Sequence, residues 1–79
     1  MKDIIWNNII LDEFLRLAIL TEIEEQILRT RIKGWSRVKQ SMEFHMSVAS
    51  VDSVIRMIGI KYDMVQPYSN ILPVRKKKQ

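Results

Sequence analysis

The chain has 79 residues, 47% hydrophobic and 28% charged, with 2 Gly and 2 Pro, which describes one small compact domain and excludes most enzyme folds. With no cysteine and one histidine, disulfide staples, thiolate chemistry and sulfur-dependent zinc sites are all ruled out, so stability has to come from helix packing or self-association. The net charge is +4, from 13 Lys and Arg against 9 Asp and Glu, yet without Arg75, Lys76, Lys77 and Lys78 the rest of the chain is formally neutral.

Residues 1–11 carry Ile4, Ile5, Trp6, Ile9, Ile10 and Leu11, too apolar for a solvated arm, while Asn7-Asn8 argues against one uninterrupted helix. A packed N-terminal segment is expected. The early acid Asp3 and the Trp6-Asn7-Asn8 break also interrupt any apolar run long enough for a signal peptide or a membrane span, so the reading is cytoplasmic, with no membrane partner. From Asp12 the spacing of Phe14, Leu15, Leu17 and Ala18 predicts a short first helix. Thr21-Glu22-Ile23-Glu24 has the form of a capping box and opens a second helix with the stripe Ile23, Ile27, Leu28 and Ile32, which Gly34 ends. Ser36 is the next N-cap, for a helix of about two turns through Phe44 on which Val38, Ser41 and Met42 are expected to face inward. Ser47 caps a fourth helix, with Val51, Val54, Ile55, Ile58, Tyr62 and Val65 at helical spacing, which stops before Pro67. Gly59 lies inside that pattern and predicts a bend or fraying there. Residues 67–79, with Pro67, Pro73 and the basic run, read as an extended or disordered basic tail behind a domain spanning 1–66.

Between residues 36 and 58 the parts of a helix-turn-helix are present: a short helix, a brief turn and a longer second helix suited to a major groove. Ser41 is the small residue at the helix crossing, Met46 the apolar plug of the turn, Ser47 the cap, and Val51 and Ile55 the core-facing positions. His45 stands where a turn often has Gly, and reads as a turn residue able to take positive φ rather than as a metal ligand or an acid–base group. Glu22, Glu24 and Glu25 read as a capping and helix-dipole cluster rather than a paired-carboxylate site. Trp6 and Trp35 read as core, with base stacking as the alternative.

The stretch from Leu20-Thr21-Ile23-Glu24-Glu25 through Gly34-Trp35-Ser36 to Met46-Ser47-Val51 resembles LuxR-type and sigma-factor region 4 domains. Lys33-Gly34-Trp35-Ser36 and Ile71-Leu72-Pro73 are also similar to segments of small helix-turn-helix proteins of bacterial phages and mobile elements. The resemblance implies an all-α, four-helix helix-turn-helix domain that binds duplex DNA as a small transcriptional regulator. Its alternative is a protein-interaction module contacting the transcription machinery.

On that reading the recognition helix presents Ser47, Val48, Ala49, Ser50, Ser53 and Arg56 to the groove. Serine hydroxyls can reach base edges, and Val48 or Ala49 can meet a thymine methyl. Asp52, on the same face, is an acid that phosphates repel. Phosphate contacts fall to Arg29, Arg31, Lys33, Arg37 and Lys39, a stretch without one acid, and to the tail residues Arg75, Lys76, Lys77 and Lys78. No nucleophile, base and orienting group converge, so no enzyme, cofactor, metal or small-molecule substrate is expected. The surplus apolar residues Ile4, Ile5, Trp6, Ile9 and Ile10, with Tyr62, Met64 and Val65, point to a homodimer. An intramolecular clasp of residues 1–11 over Ile71-Leu72-Pro73 is the other way to cover them.

Overall fold

A computed structural model describes residues 4–75. Its regular elements are all helical: α1 (Asn8–Leu17), α2 (Glu22–Ile32), α3 (Arg37–Glu43), α4 (Val48–Val65), and a single 3₁₀ turn at Gln66–Tyr68. No described helix is long and apolar enough to cross a membrane. The chain divides into two compact units, one made of Met1–Ile19 with Gly59–Gln79 and the other of Leu20–Ile58.

In the unit formed by the two ends of the chain, α1 starts at Asn8 and not at Asp12, because Asn7 is the N-cap: its side-chain oxygen accepts from the Ile10 amide at 2.9 Å. The same Asn pair that reads as an interruption is therefore the start signal. Phe14 and Tyr62 are fully buried and their rings lie 5.3 Å apart, while Trp6 packs on both at 5.9 and 6.0 Å. These separations and tilts are those of favourable aromatic pairs. Trp6 is thus a packing residue, and Ile4, Ala18 and Leu72 are buried in the same unit.

The segment after α4 is not a solvated tail as far as Arg75. Ser69 Oγ donates to Glu13 Oε2 at 2.6 Å and accepts from the amides of Ile71 and Leu72 at 3.0 and 3.1 Å. The Tyr62 hydroxyl donates to the Pro73 carbonyl, and Gln66 Nε2 donates to the Leu72 carbonyl at 3.2 Å. Arg75 then grips Asp63 with two bonds, Nε to Oδ1 at 3.0 Å and Nη2 to Oδ2 at 2.8 Å. Gly59 is where this guanidinium lies against α4: a Cβ there would stand 3.0 Å from Arg75 Nη1. The helix runs unbroken through Gly59, so the expected fraying is absent, and the glycine serves a close approach. Lys76, Lys77 and Lys78 lie outside the described residues.

In the second unit the Thr21–Glu24 capping box is complete, with Glu24 N to Thr21 Oγ1 at 3.2 Å and Thr21 N to Glu24 Oε1 at 2.8 Å. α2 closes in a Schellman turn, in which Gly34 at φ 95° lets Trp35 N reach the Thr30 carbonyl and Gly34 N the Arg31 carbonyl, both at 3.0 Å. Ser36 caps α3 by accepting from Lys39 N at 3.0 Å. The inward side of α3 matches the expectation at Ser41, which is buried, and differs from it elsewhere: Val38 and Met42 are 58% and 70% exposed, and Gln40 is buried in their place. The physical reason is a polar clamp, since Gln40 Nε2 donates to the Ile27 carbonyl at 2.9 Å and to Thr30 Oγ1 at 2.8 Å. Hydrogen bonds to two fixed points on α2 are directional, so they specify which face of the seven-residue α3 turns inward.

The Ser69 hydroxyl, then the Arg16 guanidinium, hold the Glu13 carboxyl below its ordinary 4.5, against the opposing effect of burial. A depressed folded-state pKa contributes stability above pH 4.5 that is lost as pH falls through the lower folded value. In thermal melts between neutral and acid pH, Glu13→Gln is therefore expected to be less stable than the parent at neutral pH and to converge with it below that window. Ser41 is buried and its hydroxyl is committed to the Val38 carbonyl at 2.7 Å. Ser41→Leu is expected to overpack this site and lower stability by about 1–3 kcal/mol in denaturant titrations.

Candidate nucleic-acid interface

The turn between α3 and α4 depends on one left-handed residue. His45 adopts φ 55°, and this reversal lets Met46 N donate to the Ser41 carbonyl at 2.9 Å while Phe44 N donates to Gln40 O at 2.9 Å. Among non-glycine residues His tolerates this region better than β-branched or bulky ones do. The chain then enters α4 through Ser47, whose Oγ accepts from Ser50 N at 3.0 Å and donates to Ser50 Oγ at 2.8 Å. The entry to α4 is thereby set by a backbone turn and a side-chain cap in succession.

With successive residues turned by about 100°, the buried Val51 and Ile58 place Ala49, Ser53 and Arg56 on the opposite side of α4. Val48 and Ser50 flank that arc, and all five are exposed. Ala49, Ser53 and Arg56 thus share one open helical face, while Val48 and Ser50 lie toward its two sides. Ser47 and Ser50 are partly committed to each other as the cap, so the uncommitted polar groups of the face are Ser53 and Arg56.

The predicted phosphate contacts fall into three groups. Arg29 pairs with Glu25 at 2.8 Å within α2, and Arg37 pairs with Asp52 at 2.9 Å, joining α3 to α4. Both pairs are about half exposed, a setting in which an ion pair is easily exchanged for a stronger anion. Arg31 and Lys39 are tied to the α2–α3 junction: Arg31 Nη1 donates to the Trp35 carbonyl at 3.2 Å, and Lys39 Nζ lies 4.5 Å from the centre of the Trp35 ring. That ring also stacks on Phe44 with centroids 6.0 Å apart, so Trp35 contacts both an aromatic and a cation. Lys33, at the C-terminal end of α2, makes no ion pair among the described residues.

The Arg75 guanidinium is engaged by both oxygens of Asp63, and Arg75 belongs to the other unit.

Sequence reasoning finds neither the Gln40 clamp nor the Arg37–Asp52 link. The first has a faint signal, a polar residue beside the small Ser41 in a short helix; the second has none, because its partners lie 15 residues apart. No family model, curated protein or solved structure matches the chain.

Proposed function

We propose that α3, the His45 turn and α4 form a helix-turn-helix that binds duplex DNA, and that the chain acts as a small cytoplasmic transcriptional regulator of the phage or mobile-element type. The observation that carries this reading is the open face of Ala49, Ser53 and Arg56 on a capped helix whose entry is fixed by the His45 turn. A helix presented in this way can lie in a major groove with its N-terminal residues at the base edges. Ser53 and Arg56 supply the hydrogen bonds, Arg56 suiting guanine, while Val48 and Ala49 offer contact to a thymine methyl. Arg29, Arg31, Lys33, Arg37 and Lys39, all in the same unit, supply the charge for phosphates.

The second reading, contact with the transcription machinery, is favoured by Val38 and Met42. These are one helical turn apart on α3 and largely exposed, an apolar pair that DNA does not require.

The test is a titration of duplex DNA at several salt concentrations. With about five phosphates neutralised, the log–log slope of affinity against salt is expected to be about −4 to −5. Absence of binding at low salt favours the protein-interaction reading. Replacing Lys76, Lys77 and Lys78 with Gln is expected to lower affinity without abolishing it; complete loss assigns the binding to the tail.

Asp52 supplies a sharper prediction. Asp52→Asn removes a carboxylate from the groove side and releases Arg37 from its 2.9 Å pair. Affinity is expected to rise severalfold and the salt slope to steepen by about one, the increment of one phosphate contact.

A further inference from the structure

We propose that Gln40 is a positioning residue: it holds α3 in the rotation that directs α4, against a competing rotation in which Val38 and Met42 turn toward α2. The starting observation is that α3 buries its polar side. Gln40 is fully buried although its Oε1 has no protein donor, and Ser41 beside it is buried too, while Val38 and Met42 are exposed. Val38 and Met42 stand two positions before and after Gln40, so at about 100° per residue they share the opposite side of the helix. Removal of apolar surface from water favours the reverse arrangement. What opposes it is directional: Gln40 Nε2 donates to the Ile27 carbonyl at 2.9 Å and to Thr30 Oγ1 at 2.8 Å. Thr30 Oγ1 in turn donates to the Gln26 carbonyl at 2.8 Å, so it is an acceptor toward Gln40.

The rotation of α3 matters because α3 is tied to α4 at both of its ends. At the first, Arg37 Nη1 pairs with Asp52 Oδ1 at 2.9 Å. At the second, the Ser41 carbonyl accepts from Met46 N at 2.9 Å across the His45 turn. Turning Val38 and Met42 inward takes Arg37 away from Asp52 and redirects the Ser41 carbonyl, so α4 no longer leaves α3 in the same direction. A hydrogen-bonded amide thus selects one of two packings that the sequence of α3 allows, the use for which buried polar groups are best suited. The rotation does not rest on DNA binding, whereas its effect on DNA rests on the proposed function.

Nuclear magnetic resonance of the full chain tests this, with folding of each variant checked by circular dichroism. Gln40→Leu removes the clamp together with the orphan oxygen. It is expected to stay folded, to shield the Met42 methyl from a soluble paramagnetic probe, and to speed hydrogen exchange of the Met46 amide severalfold. Affinity for random-sequence duplex DNA is expected to fall severalfold in parallel. Adding Val38→Gln and Met42→Gln leaves the charge unchanged and makes the competing face polar, so Met46 protection and DNA affinity are expected to recover. A merely structural role for Gln40 gives neither the shielding nor the recovery. Thr30→Val removes one acceptor from α2 without touching α3, and is expected to move the same readouts less. A folded Gln40→Leu whose Met42 stays as accessible as in the parent overturns the proposal, as does a triple variant that recovers nothing. If Gln40→Leu unfolds, an unshielded Met42 in Thr30→Val overturns it. If Met42 and Met46 respond as expected but the parent binds no DNA, the positioning of α4 stands and the DNA-binding reading falls.

Discussion

The amide of Gln40 is the contact on which the three-helix unit depends. Its nitrogen bridges a backbone carbonyl and a threonine hydroxyl of α2, while its own oxygen is buried without a protein donor. Two net hydrogen bonds contribute about 1 kcal/mol each, and one buried orphan acceptor costs about the same as both together. The amide therefore adds little to stability. What it does add is uniqueness: only one rotation of α3 puts Gln40 at Ile27 and Thr30, and that rotation turns Ser41 inward and Val38 and Met42 outward. Because the Ser41 carbonyl then receives Met46 N across the His45 turn, the direction in which the chain leaves α3 follows from the same clamp.

The other unit is held together differently. It joins segments from the two ends of the sequence, and its apolar centre is three aromatic rings with Ile4, Ala18 and Leu72 around them. Such a core is too small to order the residues after α4 by burial alone. Polar links complete the ordering, from Ser69 to Glu13, from Tyr62 to Pro73, and from Arg75 to Asp63. Each one reaches from the final segment back to a helix, and all three are partly buried.

The helices are legible in the sequence where their ends carry chemistry. Thr21 with Glu24, Gly34, Ser36 and Ser47 each announce a boundary through a group that satisfies helix-end donors or carbonyls, and each boundary stands within about a residue of where that group places it. The start of α1 is hidden because Asn is both a poor helix-interior residue and a strong N-cap, and only the structure says which property operates at Asn7. The inner face of α3 is hidden because seven residues hold too few apolar positions to define a stripe. The segment from Pro67 to Arg75 is hidden because its two prolines and the cations next to it in sequence have the composition of coil, while what orders it is a set of pairings remote in sequence. Of the candidate site, the exposed positions of α4 are legible from the spacing of Val51 and Ile58. The pairing of Arg37 with Asp52 is not, since spacing along one helix says nothing about charges on another.

That pairing bears on what kind of DNA binder the proposed function describes. The acid on the groove side of α4 is already neutralised by Arg37, so the cost of bringing Asp52 near phosphates is reduced, but at the expense of one cation that would otherwise contact them. Ser47 and Ser50 spend their hydroxyls largely on the cap. Under the proposed function, Ser53 and Arg56 are then the polar groups left to distinguish one base pair from another, and a good bidentate contact discriminates by about 1–3 kcal/mol. A single such contact per helix falls short of what separates an operator from bulk sequence, which takes about 4–10 kcal/mol. Two helices reading two half-sites come closer to that range, so the proposed function, if it is specific regulation, calls for more than one copy on the DNA.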